Sequence, residues 1–126
     1  MLIDDLSSTV YAGELHRGAV VRSVGWLGSE VPRRGRLAAG VVKQLRHYRE
    51  LAFHDDGDLG SHACEICGTE EGRGEFWVEW AGVRYVLPAL VLHYCEAHEY
   101  LPPDDFLDAL ALRSKADNVE GAESLA

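Results

Sequence analysis

Residues 64–98 read CEICGTEEGRGEFWVEWAGVRYVLPALVLHYCEAH, and this stretch decides the fold. Cys64-x2-Cys67 opens it and His93-x4-His98 closes it, with twenty-five residues between Cys67 and His93. Such a cysteine pair forms a knuckle that can present both thiolates to one ion, and two histidines near a helix end can reach the same ion. Between them Phe76, Val78 and Trp80 alternate with Glu75, Trp77 and Glu79, the period of a strand. Ala81-Gly82 makes a turn, and Val83, Tyr85 and Leu87 alternate back. Pro88 suits the first position of a helix running to about His98. Knuckle, hairpin and helix in that order are the architecture of a Cys2His2 zinc site, with a hairpin segment longer than the roughly twelve residues usual there.

The first ligand pair is Cys64 and Cys67. The second is open on spacing alone. On a regular helix at about 100° per residue, His93 and His98 lie roughly 140° apart, against roughly 60° for Cys95 and His98. A Cys3His set using Cys95 therefore competes with Cys2His2. His-x4-His ligation needs the helix to loosen at its end, which Pro102 shortly downstream favours. His62, beside the knuckle, is a third candidate. A redox role for Cys-x2-Cys fits less well, because such a pair normally opens a helix in a βαβ unit, and here a glycine-rich loop (Thr69 to Gly74) and a hairpin follow.

Upstream, Ala19 to Leu27 is rich in β-branched and aromatic residues and reads as a strand. Gly28 to Gly35, with Pro32, is a loop. Leu37 to Ala52 is an amphipathic helix, with Leu37, Val41, Leu45, Tyr48 and Ala52 at helical spacing and Arg46 and Arg49 on other faces. Downstream, Pro102-Pro103 stop the metal-bearing helix, and Asp104 is a candidate N-cap for a last helix with Phe106, Leu107, Leu110 and Ala111 on one face. The fold class expected is α+β: a single domain over residues 1–117, within which residues 61–112 form a zinc-binding ββα-like unit plus the final helix. Residues 118–126, small and acidic, are expected to be a disordered tail.

The chain has 126 residues, 47% hydrophobic and 26% charged, the balance of one soluble domain with a real core. No apolar run approaches the roughly 18 residues of a membrane span. The N-terminus MLIDDLSSTV lacks a basic segment and is no secretory signal. A cytoplasmic setting follows, in which three cysteines serve metal or chemistry rather than disulfides. The net charge of −9 is uneven: residues 1–60 carry eight acids and eight bases, leaving thirteen acids against four bases for the remainder. DNA binding by a finger needs a basic face, so the acidic metal-bearing half is a poor nucleic-acid ligand.

Other motifs carry less. Trp77 and Trp80 on a short strand read as core and sheet-face residues. Glu75 and Glu79 read as a solvated strand face. Asp55-Asp56-Gly57-Asp58 lacks the glutamate of a calcium loop, whose place falls on Ile66, and reads as a linker. Arg33-Arg34-x-Arg36 reads as a soluble loop.

Cys64 and Cys67, Pro88, Leu90, His93-Tyr94, His98, Tyr100, Pro102-Pro103 and Phe106, together with Val21-Arg-Ser-Val-Gly-Trp-Leu27, resemble the pattern of a family of small, uncharacterised bacterial proteins with a Cys-x2-Cys knuckle, a hairpin and a His-Tyr-x3-His-x-Tyr-x-Pro-Pro-x2-Phe motif. The resemblance covers most of the chain. It implies a compact zinc-binding fold, an aliphatic residue at the position of Cys95, and ligation by Cys64, Cys67, His93 and His98; it implies no activity.

These readings point to a non-catalytic, zinc-stabilised interaction module. Its acidic half would dock a protein with a basic surface, such as a toxin for which the chain would be an immunity-type partner. A zinc-dependent hydrolase is the first alternative. It would need three protein ligands, an open position for water and a base, for which Glu96 is the one tempting carboxylate. The second is nucleic-acid binding through residues 33–49, which requires those arginines to gather on one face.

Overall fold

In this computed structural model residues 3–10, 16–52, 61–69 and 71–119 are described, with the backbone alone for Ala52, Ser61, His62 and Glu71. The chain runs β1 (Val21–Ser23), α1 (Ala39–Ala52), β2 (Ser61–Ala63), β3 (Glu71–Arg73), β4 (Glu75–Trp80), β5 (Val83–Pro88), α2 (Val91–His98) and α3 (Asp104–Ala116). The α+β class stands. The linker Asp55–Asp58 and the end of the chain from residue 120 lie outside the described residues. None of the described helices is long and apolar enough to cross a membrane.

The β4–β5 hairpin is the centre. Its ladder pairs Trp80 with Val83 across Ala81-Gly82, and both turn residues have positive φ, 52° and 82°, the two-residue turn whose twist matches that of paired strands. β1 joins β5 in parallel, giving the order β1-β5-β4. Phe76, Val78 and Leu87 bury one face of this sheet against Leu45 and Tyr48 of α1, Phe106 and Leu110 of α3, and Val91, Leu92 and Tyr94 of α2. Each large apolar side chain buried this way contributes about 1.5–3 kcal/mol. On the opposite face Val21, Trp26 and Val86 form a smaller cluster, joined by Ile3, Val10 and Trp77.

Several elements differ from the sequence expectation. The first strand spans only Val21–Ser23. At Gly25 (φ +80°) the chain turns; a Cβ there would sit 2.7 Å from Val91 Cγ2, so the strand gives way to a close crossing over α2. Trp26 and Leu27 stay buried outside the ladder, with Trp26 Nε1 donating to Val86 O at 3.1 Å. Pro88 is not the first helical residue. It ends β5 opposite Glu75, because Ala89 N–H still donates to Gly74 O at 3.1 Å and holds the chain in the ladder past the proline. α2 accordingly starts at Val91. Asp104 lies inside the first turn of α3, the N-cap being Pro103. There the carboxylates of Asp104 and Asp105 face the positive end of the helix dipole. After α3, Asn118 takes φ 55° and Val119 is buried, its N–H bonded to Ser114 O at 2.9 Å.

Glu75 is not solvated: it is wholly buried, and its Oε2 meets His16 Nε2 at 2.7 Å. Arg84 donates through Nη1 to His16 Nδ1 at 3.1 Å, which places the ring proton on Nε2, facing the carboxylate. The same guanidinium lies 5.0 Å from the centre of the Trp77 ring and 3.3 Å from Glu79. This polar group closes the smaller face of the sheet.

Gln44, on the buried side of α1, is fully enclosed, and neither amide atom has a hydrogen-bond partner. Leaving such groups unpaired costs about 1–3 kcal/mol. Gln44→Met, close in volume and without polar hydrogen-bonding groups, is expected to raise the melting temperature by a few degrees, measured by circular dichroism; a fall would mean that the amide is paired in solution.

Candidate metal centre

The knuckle is built on a hairpin that sequence patterning missed. β2 and β3 pair antiparallel, Ser61 opposite Arg73 and Ala63 opposite Glu71, although Thr69 to Gly74 reads as a loop. Gly72 explains the placement. A Cβ there would lie 2.8 Å from Leu90 Cγ, so the bare glycine backbone lets the hairpin seat against the residue that caps α2. Cys64 follows β2 directly, and Gly68 N–H returns to Cys64 O at 2.7 Å to close the turn, with Gly68 at φ +71°. A left-handed residue of this kind is cheap only for glycine.

The histidines come from α2. Glu99, just beyond His98, is left-handed (φ 53°, ψ 35°), and its N–H reaches back to Tyr94 O, five residues rather than four. Tyr100 N–H donates to the same carbonyl at 3.1 Å. The last turn is therefore wider than an α-turn. From outside, Arg34 Nη1 donates to His98 O at 3.1 Å, while Gly35 N–H bonds Glu99 O and Leu101 N–H bonds Arg33 O, each at 2.9 Å.

Together these elements bring Cys64, Cys67, His93 and His98 to one point, with their ligand atoms all within 4.8 Å of one another, a group that could hold a metal ion. Cys64 Sγ is 3.4 Å from His98 Nε2, Cys67 Sγ is 3.5 Å from His93 Nε2, and the two Nε2 atoms are 3.2 Å apart. The imidazole planes stand at 84°, and the rings approach each other through their Nε2 atoms. Cys64 is fully buried, Cys67 exposed and the histidines half-buried. Cys95 is buried in the main core and is not in the cluster. The His62 side chain lies outside the described residues.

The two thiols differ in acidity as well as position. Hydrogen bonding from the Thr69 side chain (Oγ1 3.2 Å from Sγ) and backbone, joined by the two histidines, lowers the Cys67 thiol to about 5. Burial, with a smaller push from Glu96, raises Cys95 to about 12. Glu96 itself is exposed and reaches Arg46 on α1 at 3.4 Å; it is not in the cluster. The arginines of the 33–49 region are largely engaged within the fold: Arg33 pairs with Asp104 at 2.5 Å, Arg34 with His98 O, and Arg46 with Glu96.

The model of a family described as a domain of unknown function, DUF7919, matches residues 1–111, and the chain belongs to that family. No curated protein and no solved structure matches the chain. The match takes in the N-terminal segment, the sheet and all four cluster residues, so the family spans the whole scaffold that positions the cluster.

Cys67 and Cys95 should be separable by chemistry. In protein stripped of metal, iodoacetamide at pH 7 is expected to label exposed Cys67 rapidly, the rate falling as pH drops through about 5. Cys95 should stay unlabelled until the chain is unfolded. Peptide mass spectrometry reads both, and equal labelling of Cys95 under native conditions would contradict its placement in the core.

Proposed function

We propose that this chain is a non-catalytic protein-interaction module whose fold is fastened by one zinc ion held by Cys64, Cys67, His93 and His98. The observation that carries the reading is the shape of the cluster. With Zn–S of about 2.3 Å and Zn–N of about 2.05 Å, a tetrahedral ion has N···N and S···N edges of about 3.3 and 3.6 Å. The distances of 3.2, 3.4 and 3.5 Å fit one such ion. They are too short for a two-iron cluster, whose ligands sit on different metal atoms. Mixed thiolate and imidazole donors favour zinc over oxygen-seeking cations such as magnesium or calcium.

Support for a structural ion comes from the ligand count. Four protein donors fill a tetrahedron, whereas a hydrolytic zinc keeps a position for water and needs a base nearby. Glu96, the carboxylate between the histidines in sequence, is turned to Arg46 instead. Nucleic-acid binding is disfavoured by the internal pairing of Arg33, Arg34 and Arg46. A partner with a basic surface fits the exposed acids beside the centre and along α3, namely Glu99, Asp105 and Asp108.

Purified protein should contain close to one zinc per chain by plasma mass spectrometry. Cys67→Ser and His93→Ala are expected to lose most of it, and Cys95→Val to keep it. Structural zinc supplies roughly 10 kcal/mol or more to small finger peptides. Here the sheet and three helices share the load, so chelation should lower the melting temperature by on the order of 10 °C rather than unfold the chain. Retention of zinc by His93→Ala with its loss from Cys95→Val would replace this ligand set with Cys3His.

A further inference from the structure

We infer that the Cys64–Cys67 pair is a peroxide-sensitive latch on the bound ion, so that oxidation of the pair releases zinc and frees the knuckle from α2. The inference rests on the zinc reading above. Its basis is the asymmetry of the pair. Cys67 is exposed at the tip of the knuckle, while Cys64, three residues earlier in the same turn, is fully buried. A small oxidant from solvent meets one sulfur first, and the other lies behind it within the same 4.8 Å cluster.

Closing a disulfide needs the sulfurs at about 2.05 Å. The move required is short, and it falls on a turn whose outer residues Gly68 and Thr69 are exposed and make no dense packing: a Cβ added at Gly68 would meet nothing within 4 Å. Of the three cysteines, Cys64 and Cys67 belong to the four-residue cluster and Cys95 does not. The third cysteine, Cys95, packs among the core residues on the inner side of α2.

The chemistry balances with hydrogen peroxide as the oxidant. The Cys67 thiolate attacks one peroxide oxygen and expels hydroxide, leaving a sulfenic acid. The Cys64 thiolate then attacks that sulfur and expels a second hydroxide, forming the S–S bond. Two thiolates have lost two electrons in total, and the two peroxide oxygens have gained them. The ion keeps only two neutral imidazoles, from His93 and His98, and leaves as Zn2+. What then holds the knuckle hairpin is three-residue β2, three-residue β3, the close approach of Gly72 to Leu90 and the packing of Cys64 and Ile66 against the main core, while the main sheet and its helices keep their own core.

The test uses the full chain purified with its zinc. Metal content is measured first; a folded chain without zinc at this stage removes the metal reading, and the latch with it. With zinc present, excess hydrogen peroxide is added and release is followed with a chromogenic chelator, while peptide mass spectrometry maps the cysteines. The expected result is zinc release in step with the loss of two thiols, a Cys64–Cys67 disulfide, Cys95 still free after denaturation, and recovery of zinc binding on reduction with added metal. Cys95→Ala should release zinc at the parent rate. Retention of zinc under excess peroxide overturns the latch while leaving the zinc reading intact, as does release accompanied by oxidation of Cys95 without the Cys64–Cys67 disulfide.

Discussion

Everything at the metal centre depends on the last turn of α2 being opened and then held open. An ideal helix sends His93 and His98 to directions roughly 140° apart. Here Tyr94 O accepts from both Glu99 and Tyr100, and the widened turn lets two imidazole tips approach to 3.2 Å. A wide turn with a left-handed glutamate is strained in isolation. It persists because the segment 33–35, more than sixty residues away in sequence, bonds to the carbonyl of His98 and to the backbone of Glu99 and Leu101. Tyr100 is fixed in turn by its hydroxyl, which donates to the Asp5 carboxylate at 2.8–2.9 Å, and Asp5 accepts from Gly25 N–H at 2.9 Å. The N-terminal half thus helps fix the helix end from which the C-terminal half presents its two histidines.

That dependence explains which features the sequence revealed. The hairpin was legible because Phe76, Val78, Val83, Tyr85 and Leu87 alternate, and the periods of α1 and α3 were legible for the same reason. The four cluster residues were legible by spacing, although spacing alone left Cys95 in competition. What separates Cys95 from His93 is the widened turn, a tertiary effect that a helical wheel does not contain. β3 escaped notice because Glu71-Gly72-Arg73 has no apolar alternation; its strand character comes from pairing with β2 and from the close approach of Gly72 to Leu90. Glu75 was misread for a related reason. Its partner His16 is fifty-nine residues away, and the charge pattern of one strand cannot disclose it. Pro88 has the residue type of a helix start, but the ladder to Gly74 outlasts it.

The charge distribution acquires a structural meaning from the same contacts. The acid-rich second half and the arginines of the first meet across the fold, Arg33 to Asp104 and Arg46 to Glu96. Exposed pairs like these contribute little stability, typically up to about 1 kcal/mol each. Their larger effect is on the surface field. They hold Arg33 and Arg46 against acids of the second half, while Glu99, Asp105 and Asp108 stay exposed and carry part of the net charge of −9.

The domain has two polar fastenings of different kinds, placed on opposite sides of its sheet. On the smaller face the buried pair of His16 and Glu75 is covered by half-buried Arg84. Such a group tends to enforce one arrangement rather than add net stability. At the end of α2 the four-residue cluster is open on one side, through Cys67, to whatever the solvent carries. The first fastening joins the segment before β1 to the sheet; the second joins a short hairpin to a helix end that already has partners. The two short strands and the turn sit at the edge of the fold, tied to the main core through Cys64 and Ile66, while Leu45, Phe76, Leu87, Phe106 and Leu110, each fully buried, form that core.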